Sequence, residues 1–108
     1  MANSYKFKGV ALATTAETAL LTAASNETLI IKSIRATNNT SNTPTLSFDI
    51  ADNSASAEYT ILKTQTLAAN TAVEILSVPL VLEASDALKA TISSSDSIHF
   101  GISYLVIT

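Results

Sequence analysis

The segment "SIHFGISYLVI" constrains the fold most. Ile98, Phe100, Ile102, Tyr104 and Val106 alternate with His99, Gly101, Ser103, Leu105 and Ile107. A repeat of two is the spacing of a strand with one face in a core, and no helix produces it. The other face turns apolar at Leu105 and Ile107, so this end predicts a second cover, by a loop or by a neighbouring chain. "TLSFDIA" repeats the pattern with Leu46, Phe48 and Ile50, and "DALKATIS" with Leu88, Ala90 and Ile92. "TLIIKSIRATN" and "AEYTILK" are rich in β-branched and aromatic residues and read as further strands. "TAVEILSVPLVL" is strand-like on both sides of Pro79. Proline cannot donate to a ladder, so it marks an edge, a bulge or a crossing between sheets.

Between these segments lie the turn-formers "NNTSNTP", "ADNSAS" and "SSSD". The chain has only 2 glycines, so its turns must be built from Asn, Asp and Ser, and a glycine-rich phosphate cradle is ruled out. The ambiguous stretch is "ALATTAETALLTAAS", residues 11–25. Leu12, Ala16, Ala19, Leu20 and Ala23 have helical spacing, but the interspersed threonines favour a strand near residues 17–23. The sum is an all-β chain: an antiparallel β-sandwich or jelly roll of eight or nine short strands. It is expected to form a single domain over 1–108, with residues 1–10 as an N-terminal arm or edge strand.

Composition narrows function. Charged residues are 14% of the chain and the net charge is -3, too weak a field to draw nucleic acid or an anionic membrane. A basic patch would require Lys6, Lys8 and Arg35 to converge. No apolar run approaches the roughly eighteen residues of a membrane helix, and "MANSYKFKGV" shows no secretion pattern. The glycosylation spellings at Asn26, Asn38 and Asn39 therefore read as turns. With no Cys, thiolate and disulfide chemistry are excluded.

Chemistry-bearing residues are few. Glu83 and Asp86, in "PLVLEASDAL", are spaced for an acid/base pair, or, with Asp96, for hard oxygen ligands to calcium. The local reading is that Asp86 closes a turn by accepting backbone N–H bonds. His99 shares a strand face with Ser103, but roughly 13 Å along the strand is too far for a hydrogen bond. The expectation is a chain without catalytic, metal or cofactor residues.

Several phrases carry a resemblance: the opening "MANSYKFKGV", "IIKSIRATNNT" with its Asn-rich turn, "LAANTAVEI" leading into "PLVLEASDALKATIS", and "IHFGISYLVI". Together they resemble small β-sandwich virion proteins of tailed bacteriophages, marine and cyanobacterial ones above all. The likeness spans nearly the whole chain, and it departs at Ser85, where many relatives carry Gly. It implies a non-enzymatic structural subunit, a capsid decoration or a neck or tail component. Such a subunit would be a homo-oligomer in contact with other virion proteins and located in the virion after assembly in the host cytoplasm. Tyr5, Lys6 and Phe7 near the N-terminus, with Leu105 and Ile107 near the C-terminus, are the expected interface residues. The alternative is a carbohydrate- or host-surface-binding module at a tail tip or fibre, which calls for exposed aromatics; the loops contain none.

Overall fold

The computed structural model describes residues 2–76 and 78–108. Among the described residues nine strands follow one another: β1 (Asn3–Leu12), β2 (Thr18–Thr22), β3 (Thr28–Asn38), β4 (Thr45–Asp52), β5 (Ala57–Thr66), β6 (Ala72–Glu74), β7 (Leu80–Leu82), β8 (Ala87–Ile92) and β9 (Ile98–Ile107). The pairing is nested: β1 with β9, β2 with β8, β3 with β6 and β7, and β4 with β5, all antiparallel. Counting β6 and β7 as one interrupted strand, the chain is a long hairpin whose tip is the β4–β5 turn. Rolling that hairpin brings β9 against β3 and β8 against β4. The products are sheet A, ordered β1-β9-β3 with β6 and β7 on its far edge, and sheet B, ordered β2-β8-β4-β5. This is a two-sheet antiparallel sandwich with jelly-roll pairing, in line with the sandwich or jelly roll that the sequence patterning had expected. The strands are less uniformly short than expected, since β1, β3, β5 and β9 run to ten or eleven residues.

The facing sides of the sheets form one core. Ile98, Phe100, Ile102 and Val106 of β9 face Leu46 and Phe48 of β4 and Leu88, Ala90 and Ile92 of β8. The rings of Phe48 and Phe100 meet across the sandwich with centroids 5.9 Å apart, tilted by 52°, an arrangement that suits the quadrupoles of both.

Two bulges explain where simple alternation fails. In β2 the register shifts between Ala19 and Leu21, so the adjacent Leu20 and Leu21 both enter the core. That break in period two is what made residues 11–25 look helical. In β3 the register shifts between Ile31 and Ser33, and the buried set changes parity from Leu29 and Ile31 to Ile34 and Ala36.

Pro79 separates β6 from β7 on the far edge of sheet A. Ile75 N–H donates to Ile34 O at 2.8 Å, and a continuing ladder would return the Ile34 N–H to this partner. Instead Glu74 Oε2 accepts it at 2.9 Å, and Glu74 Oε1 accepts the Ser33 hydroxyl. A carboxylate thus stands in for the missing length of strand.

The turns confirm the economy in glycine. Ser56, Asn70 and Ser85 in turns, and Thr64 within β5, adopt left-handed backbone, with φ between 50° and 67°, and neither glycine does. Asn38 organises the loops at one end of the sandwich. Fully buried, it donates through Nδ2 to the carbonyls of Asn42 (2.8 Å), Leu67 (3.3 Å) and Ala68 (3.3 Å). Its Oδ1 accepts from Thr40 N–H (3.0 Å) and Thr40 Oγ1 (2.7 Å).

Candidate functional site

Asp86 is 4% exposed. Its Oδ2 accepts Glu83 N–H at 3.0 Å and its Oδ1 accepts Asn53 N–H at 2.9 Å. The first bond closes the β7–β8 turn with Ser85 left-handed, so this turn forms without the glycine of the phage pattern. The second ties that turn to the tip of the β4–β5 hairpin. Both oxygens are committed to backbone amides, which makes the residue a structural clasp. Asp96 accepts Asn42 Nδ2 at 2.8 Å and also the Ser94 hydroxyl. The Ser94 bond, with Asn42 behind it, holds its carboxyl below the ordinary range.

A carboxylate cluster that sequence reading did not assemble lies on the outer face of sheet B. Ligand oxygens of Glu17, Asp49 and Glu58 lie within 4.8 Å of one another. Lys89 Nζ sits 3.8 Å from Glu17 Oε1 and 3.3 Å from Glu58 Oε2. Burial, a hydrogen bond with Asp49 and the charge of Glu58 push the Glu17 carboxyl up, against the pull of Lys89. These oxygens suit a hard cation in type, but the lysine ammonium already supplies positive charge among them. The cluster reads as an ion-pair network that joins Glu17, just before β2, to β8, β4 and β5.

Glu74 has the opposite electrostatics. Burial pushes it up, but the Ser33 hydroxyl, the Ile34 and Leu76 amides and the Arg35 charge outweigh that and hold it below its ordinary 4.5. A depressed carboxyl contributes stability above its unfolded value and loses it as pH falls through the lower folded value. Glu74→Gln is therefore expected to lower thermal stability at neutral pH and to flatten its decline below about pH 4.5. Melting curves over an acid pH series check this; parallel profiles for the two proteins would contradict it.

The outer face of sheet A is the more organised surface, and the ladder register sets its rows. One row runs Tyr5, Leu105, Ile30, Val81 across β1, β9, β3 and β7. Ile107 stands in the row beside it, opposite Asn3 and Thr28. Tyr5 is 76% exposed and Val81 53%, whereas Leu105, Ile107 and Ile30 are half-buried. Of the expected interface residues, Tyr5, Leu105 and Ile107 therefore come together. Lys6 does not: it lies opposite Tyr104, on the side of the sheet that bears the core. Lys8 shares that side, while Arg35 lies opposite Gly101 on the outer face, so the three cations do not converge.

Phe7 belongs to the other half of this face. The next rows run Phe7, Ser103, Ser33, then Gly9, Gly101, Arg35, Glu74, then Ala11, His99, Thr37, Ala72. Gly9 and Gly101, the only glycines in the chain, are ladder partners. A Cβ on Gly101 would meet Phe7 Cε1 at 3.2 Å and Cζ at 3.3 Å, and one on Gly9 would meet Cε2 at 3.6 Å. The ring of Phe7 thus rests on a glycine floor while 70% exposed. Around it opens a groove of about 580 Å³, which Arg35, Thr37, His99 and Ser103 help to line. Sequence reading missed this groove. Its one signal was that both glycines fall within strands although the turns have need of them.

No protein-family model and no curated protein matches the chain. Among solved structures it is similar to the crystallographic structure of the N-terminal CBM22-1–GH10 modules of endo-1,4-β-D-xylanase 10B from Clostridium thermocellum, complexed with xylohexaose. The identity is 13% and the TM-score 0.48, over 94% of this chain and 26% of that one. The chain thus spans about a quarter of that protein's structure.

Proposed function

We propose that this chain is a non-enzymatic structural subunit of a tailed-phage virion. It self-associates and contacts larger shell or tail proteins through the outer face of sheet A beside the edge of β1. The carrying observation is the row Tyr5, Leu105, Ile30, Val81 with Ile107 beside it. An apolar row next to an unshared strand edge gives a partner both surface to bury and backbone to pair. Lys6 and Lys8, on the same strand, discourage indiscriminate edge-to-edge pairing and leave the apolar row to a fitted partner. The sequence resemblance to small phage virion proteins supports the same reading. In it the chain is assembled in the host cytoplasm, resides in the virion and needs no cofactor. Antibody against the purified chain is expected to label virions of the phage that encodes it at repeated, symmetry-related positions. Label found only in the soluble fraction of infected cells would overturn the reading.

The groove favours a second reading, a carbohydrate- or host-surface-binding module. The exposed aromatics that such a module calls for, absent from the loops, are presented by β1 as Tyr5 and Phe7.

A further inference from the structure

We infer that the groove on the outer face of sheet A is a saccharide site with the Phe7 ring as its stacking platform, an inference that rests on the second reading above. The argument begins with the glycines. Neither has positive φ, so backbone conformation does not require glycine at either position. What glycine gives at 101 is space: a Cβ there would stand 3.2 and 3.3 Å from two atoms of the Phe7 ring, so the ring would have to shift by a few tenths of an ångström. A chain that builds left-handed turns from Ser and Asn places its only glycines where they seat an aromatic ring.

A seated ring offers its outer face to whatever enters the groove, and the surroundings decide what that is. Arg35, Thr37, His99 and Ser103 surround it with hydrogen-bonding groups. A pyranose has a flat C–H face for the ring and a rim of hydroxyls for these donors and acceptors. An acyl chain would leave the polar groups unmatched. A nucleic acid would need a basic field, which a net charge of -3 does not supply. Arg35 stands opposite Glu74 across the ladder, so its charge is partly balanced and the site suits neutral or uronate-bearing sugars. The volume of about 580 Å³ is in the range of ligand clefts, and the open shape admits a chain of sugars.

The test is a titration of isotopically labelled protein with hexasaccharides of glucose, xylose and galacturonic acid, followed by amide chemical shifts. At least one sugar is expected to move the amides of Gly9, Arg35, His99 and Gly101. Phe7→Ala is expected to weaken that binding about tenfold or more. Gly101→Ala, which displaces the ring without removing it, should also weaken it. Tyr59→Ala, an exposed aromatic of β5 on sheet B, should leave it unchanged, and well-dispersed spectra of all three variants would exclude misfolding as the cause. Sugar binding that persists in Phe7→Ala, or maps to another surface, would overturn this site and leave the carbohydrate reading standing. No binding by any of the sugars would overturn both, as would a poly-dT oligonucleotide moving the same amides in their place.

Discussion

Asn38→Ala is expected to cost about 3–5 kcal/mol, a large share of the roughly 5–15 kcal/mol that holds a domain of this size together. The side chain is fully buried, and its amide satisfies the carbonyls of Asn42, Leu67 and Ala68 while its oxygen takes two bonds from Thr40. Alanine would take away a bond that is buried at the Leu67 carbonyl and part-buried at the others, each at a cost of about 1–3 kcal/mol where water cannot replace the side chain. Asn38→Asp is the sharper probe. It keeps the acceptor for Thr40 but turns an oxygen towards three carbonyls, so it should be no better tolerated than alanine despite its matching shape. Urea unfolding measures both as a lower midpoint at unchanged slope. A loss below about 1 kcal/mol for Asn38→Ala would show that the loops at this end do not depend on the hub.

Asp86→Ala is the second large effect, about 2–4 kcal/mol. It leaves the N–H groups of Glu83 and Asn53 without their acceptor at a site only 4% exposed. Local turn chemistry alone leads to a figure near 1 kcal/mol. The larger value follows because Asp86 also holds the distant β4–β5 turn. Asp86→Asn should lie between wild type and alanine, since one oxygen remains and an NH2 group meets the other N–H. Loss of amide protection in Asp86→Ala should therefore reach Asn53 as well as Glu83, and loss confined to the β7–β8 turn would contradict the clasp.

These residues show how far the sequence was legible. The inward residues of β4, β8 and β9 followed from alternation, because period two runs through their buried residues undisturbed. Asp86 was legible as a turn residue, since an Asx contact to a residue three positions away is local. Its bond to Asn53 was not, because nothing local brings the two turns together. The bulges in β2 and β3 each broke the periodicity, and the one in β2 is why residues 11–25 read ambiguously. The sequence did not show that the expected interface set divides between the two faces of sheet A. Tyr5, Lys6 and Phe7 are consecutive, so in a strand Lys6 must face away from the other two. The groove was hidden because its floor is made of glycines from opposite ends of the chain, and only the β1–β9 register puts them side by side.

The central claim, that sheet A's outer face is a contact surface between copies of this chain, is tested most directly by sedimentation velocity over a concentration series. Wild type and the double variant Tyr5→Asp/Leu105→Asp would be compared. Charges placed in the apolar row cannot be buried there without several kcal/mol of penalty, while the core stays untouched. Wild type is expected to sediment as a defined oligomer that dissociates on dilution, and the double variant as a folded monomer throughout. Wild type that remains monomeric at the highest concentration, or a double variant that associates just as well, would contradict the account.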